Sequence, residues 1–442
     1  MASDRKFLES ELMRFRGSKK RGEMLLGVRY HRGDHDILYR RRTSMGKSGE
    51  VMELKHLPNS RLVDNQYARA VEQKADYLLS KPIAFECDAE EYRTHLRRFF
   101  NRGFLRLLKS VAKDALNCGI AWLHPHYTES GEFTVRKFSG HEILPFWKDR
   151  AHTELDCALR LYEREEFDGK ETLRVEYAEL YDRFGITFFK VEREGLEFLR
   201  FAPYMVRDGE SLAWERVPLV PFRANEEEIP LIRRVKSLQD ALNIAWSDWA
   251  NGMQSSPYNE ILVLKNYDGT DLSEFRKNLA AYGAVKVRTV DGTDGGLERM
   301  EVKVDAEGYQ TVIRELKRAI LENAMGYDAK DVRTGSNPNQ MNLRSMYTDM
   351  DLDANSMECE FQESLAILLG FFAAHLAISG VGDFTHERVK LVFNRDMLVN
   401  EGEILSGLVN AGVTLSNRTL VGQVPFVDDV AEELMRIKEE TT

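Results

Sequence analysis

The chain has 442 residues, 43% of them hydrophobic and 30% charged, with a formal net charge of -10. That length buries a large core and predicts about two to four domains, and the acidic balance argues against a tight duplex binder. Four dispersed cysteines (Cys87, Cys118, Cys157 and Cys359), with no CxxC pair, argue against a zinc module or a disulfide framework.

The amino terminus lacks the apolar core of a signal peptide, so an intracellular protein is expected. Residues up to about Thr43 read as helix, followed by turn-like residues from Tyr30 to Ile37. The first fifty residues are basic, with thirteen Lys and Arg against seven Asp and Glu, a net of about +6. A helix is predicted from Arg61 to Leu79, where Leu62, Ala68, Val71, Ala75, Leu78 and Leu79 sit near helical spacing and Pro82 follows. A third covers Leu105 to Cys118, with Gly119 as its stop. From Ile120 to about Pro221 the period changes to two. Cys157–Glu163, Leu173–Ala178, Thr187–Glu192 and Ala213–Val217 are short and β-prone, which predicts an antiparallel sheet with one solvated face. Pro221 to Pro230, containing Glu226, Glu227 and Glu228, reads as a linker, and the last fifteen residues are acidic.

A long amphipathic helix is predicted over about Leu231–Ser256, its apolar stripe formed by Leu238, Leu242, Ala245, Trp249 and Met253, and Pro257 stops it. A compact β/α insert covers Pro257–Val304: a strand at 260–265, a helix at 272–282, a strand at 284–290, a Gly-rich turn and a strand at 297–304. A second helix, Asp305–Tyr327, repeats the stripe with Val312, Leu316, Ala319 and Ile320. Two helices bracketing an inserted module suggest a rod with a head at its tip, and such a rod needs neighbours to cover its apolar stripes. A polar loop from Asp328 to Gln340, carrying Gly335 and Pro338, is long enough to suggest function or mobility. A helix from Met341 to Ser379, interrupted only by Gly370, leads to a strand at Val389–Phe393 and a small helical tail.

Ser364 to Gly382 contains no Asp, Glu, Lys or Arg. A spanning helix needs about 20 apolar residues; this run is borderline, diluted by Gly, Ser and His375, and lacks an aromatic belt. A buried helix fits better, with a membrane-associated protein anchored through 364–382 as the alternative. Gly46-Lys47-Ser48 lacks the leading glycine of a phosphate loop, since Arg41 stands there, so a surface turn is expected in place of a nucleotide site. His31 and His35, and His124 and His126, have no third ligand at useful spacing and read as surface or hydrogen-bonded histidines. Residues 266–274 depart from a calcium loop in the position of Gly269 and in Lys277 where a bidentate Glu is required. They read as a turn capped by Asp271 or Ser273, and 291–296 as a hairpin turn. No nucleophile-and-base constellation is visible, and no enzyme activity, cofactor or metal is expected.

Several phrases narrow the field. Tyr30 to Leu38 (YHRGDHDIL), Pro58 to Asn65 (PNSRLVDN) and Tyr77 to Ile83 (YLLSKPI) resemble the opening of the portal proteins of long-tailed double-stranded DNA bacteriophages. So do Leu264 to Leu272 (LKNYDGTDL) and Asn342 to Leu352 (NLRSMYTDMDL), while Val424 to Asp429 (VPFVDD) and the following tail resemble that family's end. The resemblance implies an α+β portal fold with wing, helical stem, β/α clip and small helical crown. It implies a homo-oligomeric ring, usually of twelve subunits, at one capsid vertex of the virion, assembled in the host cytoplasm. Residues 1–228 would form the wing, 229–256 and 305–327 the two stem helices, and 257–304 the clip. The tunnel loop would be 328–340, the tunnel helix and wing return strand 341–397, and the crown 398–442. Lys330, Arg333, Asn337, Asn339, Gln340 and Arg344 would face DNA in the tunnel; Leu238, Leu242, Trp249, Leu316 and Ile320 would pack the stem. Tyr267, Asp268, Asp271, Arg276 and Lys286 would meet partners at the clip. Those partners would be the large terminase subunit, which spends the ATP, and a head-completion or adaptor protein; the ring would also meet double-stranded DNA, the major capsid protein and scaffold, and no membrane.

Overall fold

The structure, a computed structural model, describes residues 5–45, 49–54, 57–167, 169, 171–193, 195–207, 209–255, 260–265, 296–301, 305–327, 340–395, 416–422, 424, 427 and 430–441. It divides into two compact units, one of Met1–Asp34, Asn65–Lys236 and Ile320–Thr442, the other of His35–Asp64 and Ser237–Ala319.

The first unit opens with α1 (Arg5–Arg16) and α2 (Lys19–His31), where a single helix was expected. Gly17 weakens the helix, and the Ser18 hydroxyl accepts a bond from the Arg21 amide at 3.2 Å, so a new N-cap wins over continuation. In the second unit a short 3-10 turn (Asp36–Tyr39) precedes the hairpin β1 (Thr43–Met45) and β2 (Val51–Glu53). The first unit resumes with α3 (Gln66–Leu78), which starts five residues later than its apolar spacing predicts. Asn65 is its cap, its Oδ1 accepting from the Ala68 amide at 2.8 Å. There follow β3 (Ala84–Glu86), α4 (Glu90–Phe99) and α5 (Arg102–Cys118), which Gly119 ends at φ 81. A Cβ on Gly119 would also lie 2.1 Å from the Glu228 carbonyl oxygen, so the position needs glycine twice over.

β4 (Ile120–Tyr127) and β5 (Phe133–Ser139) are followed by β6 (Ile143–Trp147), β7 (Leu155–Phe167), β8 (Thr172–Tyr181), β9 (Gly185–Glu192) and β10 (Gly195–Pro203). The last five make an antiparallel sheet in the order β10-β9-β8-β7-β6. Its alternation buries Leu159, Leu161, Ala178 and Leu180 against Leu8 and Leu12 of α1. β11 (Met205–Arg207) pairs β12 (Glu210–Leu212), and the expected strand at 213–217 is instead loop, with Trp214 buried edge-on against Phe371 at 5.1 Å. The expected linker at 221–230 is also structure: β13 (Val220–Arg223) pairs β4. Glu228, far from being a solvated charge, is buried at φ 54 with Lys20, His152 and Arg223 around it. Burial would raise its carboxyl, but Lys20 and His152 hold it below the usual range.

α6 (Ile232–Ser255) begins in the first unit and supplies the second; β14 (Glu260–Lys265) pairs β15 (Gly296–Glu301) antiparallel, and α7 (Ala306–Asn323) follows. The helix and strand expected between 272 and 290 lie outside the described residues. In the first unit α8 (Gln340–Ile378) runs through Gly370 unbroken, β16 (Lys390–Val392) pairs β3, and α9 (Asn417–Gly422) and α10 (Val430–Thr441) end the chain. The segment Thr348–Ile378 is long and apolar enough to cross a membrane. Its apolar faces are occupied within the chain: Phe361 packs on Phe222 at 5.1 Å and Phe372 stacks on Phe99 at 4.5 Å. A helix whose apolar residues have such partners is a core helix.

Candidate functional site

In the second unit α6 carries two stripes. The apolar one was expected; the other, Gln239, Asn243, Ser247 and Asn251, repeats every four residues and is buried. It faces the chain from Ser60 to Asp64, which is neither helix nor strand. The Ser60 amide donates to Asn251 Oδ1 at 2.7 Å, the Leu62 amide to Ser247 Oγ at 3.0 Å and the Asp64 amide to Asn243 Oδ1 at 3.0 Å. Gln239 Nε2 donates to the Asp64 carbonyl at 2.8 Å. Every second amide of one segment is thus satisfied by every fourth side chain of the other. The side chains of α6 supply the acceptors for amides that lie in neither helix nor strand. Asn243 also donates through Nδ2 to Nδ1 of the buried His35 at 2.8 Å, so that nitrogen is the acceptor and the His35 proton sits on Nε2.

Asp64 joins both long helices of this unit. Its Oδ2 accepts from Trp246 Nε1 of α6 at 3.0 Å and pairs with Lys317 Nζ of α7 at 2.7 Å, and the Lys317 ammonium lies 5.5 Å above the Trp246 ring. Arg40 pairs with Asp248 at 2.8 Å on the same helix. Of the residues expected to pack a stem, Leu242 and Ile320 are buried, while Leu238, Trp249 and Leu316 are half-buried. Val312, on the expected stripe of α7, is exposed.

In the first unit α3 holds the residue before the expected tunnel loop and the helix after it from Met350 onward. Gln73 grips Tyr327, the last described residue before the loop: its Nε2 donates to the Tyr327 carbonyl at 2.8 Å, and its Oε1 accepts from the Tyr327 amide at 3.1 Å. The turn that presents Tyr327 is a helix C-terminal motif. Gly326 donates to the Leu321 carbonyl at 2.8 Å and Met325 to that of Glu322 at 3.0 Å, with Met325 left-handed at φ 53. Beyond the loop, Tyr77 packs with Tyr327, Met350 and Ala354, and its hydroxyl bonds Asp351. Lys74, 4% exposed, pairs with Asp353 at 2.5 Å. Burial pulls its ammonium below the usual lysine range, and Asp353 opposes that shift. Arg395 completes the clasp with Glu358 and Asn355.

The loop candidates Lys330, Arg333, Asn337 and Asn339 lie outside the described residues, as do Tyr267, Asp268, Asp271, Arg276 and Lys286. Gln340 and Arg344 fall in the first turns of α8. Gly46-Lys47-Ser48, 266–274 and 291–295 also lie outside. The four histidines are hydrogen-bonded: His31 to Glu72 and Asn117, His35 to Asn243, His124 to the Pro218 carbonyl at 2.6 Å, and His126 to the His124 carbonyl. Sequence reading missed Gln73 and the polar stripe of α6. The signal was present in the stripe, because Gln, Asn, Ser and Asn at four-residue spacing carry no charge, unlike a solvated face.

The phage portal protein model of the SPP1 Gp6-like type matches residues 17–442. The chain is 29% identical to the portal protein of Bacillus phage SPP1 over 94% of this chain and 83% of that one. It is 26% identical to the portal protein of Clostridium phage phiCD119 over 93% and 91% of the two chains. Among solved structures, a chain in the neck of an empty GTA particle covers 91% of this chain and 92% of its own, with 13% identity and a TM-score of 0.42. With the family model matching nearly the whole length, the chain belongs to the SPP1 Gp6-like phage portal protein family.

Proposed function

We propose that this protein is the subunit of a closed ring of twelve copies at one capsid vertex, through which double-stranded DNA enters and leaves. The observation that carries the reading is the portal family match across residues 17–442. In this reading residues 1–228 form the wing, 229–256 and 305–327 the stem, 257–304 the clip, 328–340 the tunnel loop, 341–397 the tunnel helix and wing return strand, and 398–442 the crown. The fold then has wing, stem, clip and crown around an axial channel. Rotationally repeated contacts close such a ring, and the exposed side of α7 at Val312 is the kind of surface a neighbour covers. The chain spends no ATP itself. A terminase docks at the clip during packaging, and a head-completion or adaptor protein follows it, with Tyr267, Asp268, Asp271, Arg276 and Lys286 as contacts. The ring sits among capsid and scaffold proteins in the virion after assembly in host cytoplasm.

The tunnel loop touches phosphate through Lys330, Arg333, Asn337, Asn339, Gln340 and Arg344. Sparse donors suit sliding, because each phosphate neutralised adds affinity that would hold the cargo in place. The support is the geometry of the anchors: Gln73, Lys74 and Tyr77 of one helix hold the residue before the loop and the helix after it from Met350 onward. Negative-stain electron microscopy of the purified protein tests the ring, where closed particles with a central channel are expected and a discrete compact dimer would overturn it. Lys330→Ala with Arg333→Ala should impair packaging while leaving rings intact; normal packaging would remove the loop assignment.

A further inference from the structure

Between Arg97 and Lys113 the chain carries six Arg and Lys and no Asp or Glu, inside a protein of net charge -10. These residues span the end of α4 and the first three turns of α5. Lys109 is neutralised by Asp76 at 3.0 Å, and Lys113 by Glu72. Arg97, Arg98, Arg102 and Arg106 are exposed and have no ion pair among the described residues. Most other arginines of this unit have carboxylate, carbonyl or ring partners, so four bare guanidinium groups around one helix corner are a concentrated positive charge.

The corner is rigid. The Asn101 side chain caps α5 by accepting from the Phe104 amide at 3.1 Å, and Phe99 is wedged between Phe104 at 5.1 Å and Phe372 at 4.5 Å. Arg102 and Arg106 open onto a groove of about 470 Å³ that continues along α5 past Leu105 and Ser110. Arg102 to Lys113 extends about 16 Å along the helix, and the positive end of the helix dipole lies at the arginine-rich end. No large hydrophobic side chain is exposed between residues 97 and 113, so the surface is dominated by its charge.

We propose that this α4–α5 corner binds the phosphate backbone of duplex DNA, through residues other than those of the polar loop. The choice of duplex DNA rests on the portal reading. The chemistry favours it independently over an acidic protein: guanidinium forks suit phosphate oxygens, and a duplex presents a charge about every 1.7 Å, roughly ten along this stripe. The purified chain is titrated into a short fluorescent duplex, and anisotropy is followed from about 50 to 200 mM salt. A variant with Arg97→Gln, Arg98→Gln, Arg102→Gln and Arg106→Gln keeps helix propensity and exposure, and its fold is checked by circular dichroism. The log–log salt slope should become shallower by about 3 to 4, since each lost contact removes about 0.9, and affinity at low salt should fall at least tenfold. Lysine at the same four positions should restore the slope. An unchanged slope overturns the proposal. So does a glutamate polymer that binds the native chain and not the variant while duplex binding is unaltered, which would assign the corner to an acidic protein. Particles without a channel, seen alongside a reduced slope in the variant, would refute the conduit and leave this surface standing.

Discussion

Asn243 is the residue whose replacement tests most of the reasoning about α6. Leucine has nearly its shape but neither donor nor acceptor. Asn243→Leu removes the acceptor of the Asp64 amide, now at 3.0 Å, and the donor to His35 Nδ1, now at 2.8 Å, in a place where Asn243 is 0% exposed. Each hydrogen bond lost to a buried group costs about 1–3 kcal/mol, so the substitution should cost about 2–6 kcal/mol, a large part of a typical domain's stability of 5–15 kcal/mol. Hydrogen exchange by mass spectrometry reads the loss locally. Amides of the peptide containing Ser60, Leu62 and Asp64 should exchange about thirtyfold to ten-thousandfold faster, at roughly 1.4 kcal/mol per factor of ten. Peptides of the five-stranded sheet, in the other unit, should keep their rates. Unchanged protection of 60–64 would refute the idea that these side chains hold the segment.

Gly119→Ala should destabilise by about 2 kcal/mol or more, read as a lower thermal midpoint, because alanine meets both the left-handed φ of 81 and the Glu228 carbonyl oxygen. Gln73→Ala should speed exchange at 320–327 without altering β4, since it removes both bonds to Tyr327. Acid should destabilise the first unit through His124, which is fully buried and held well below its ordinary pKa, first by burial, against the favourable Pro218 carbonyl. The unfolded chain binds the proton below about pH 6.5 and the folded chain does not, so stability is complete above that pH and falls by up to about 2 kcal/mol by pH 5. Urea midpoints across this range should fall less in a folded His124→Gln variant, and equal pH dependence would count against the assignment.

The long helices were legible because Leu238, Leu242 and Trp249, or Leu316 and Ile320, recur at three or four residues, and that period persists over many turns. β14 was legible as a short apolar run, Ile261 to Leu264, between Glu260 and Lys265. Helix ends were less so. The apolar spacing of Leu62 and Ala68 points to a helix beginning at Arg61, but the Asn65 cap and the side chains of a distant helix, which hold the amides of 60, 62 and 64, accompany a start at Gln66. Glu228 looked like a linker charge because two of its partners, Lys20 and His152, come from distant positions in the sequence. The anchors of the polar loop were hidden likewise: Gln73 and Tyr327 are 254 residues apart. Long-range polar pairs leave no periodic trace, whereas buried apolar stripes do.

The order of side chains in the α6 ladder follows from two unequal repeats. Four helical residues rise about 6.0 Å, and two extended residues about 6.6 Å, so the two chains drift by about half an ångström per rung. They can be in register at one point only, and each rung away from it requires a longer reach. Ser247, the shortest of the four side chains, stands at the central rung, flanked by Asn243 and Asn251, and the longest, Gln239, lies beyond them and reaches a carbonyl. Side-chain length thus compensates for the mismatch, which also limits the ladder to a few rungs. Ser247→Asn puts a longer amide where the chains are closest, and overpacking of that kind costs about 1–3 kcal/mol, even though the new residue offers the same type of acceptor. A lower urea midpoint with an unchanged slope is therefore expected. If Ser247→Asn were as stable as the native chain, the spacing at the centre of the ladder would not be what selects serine.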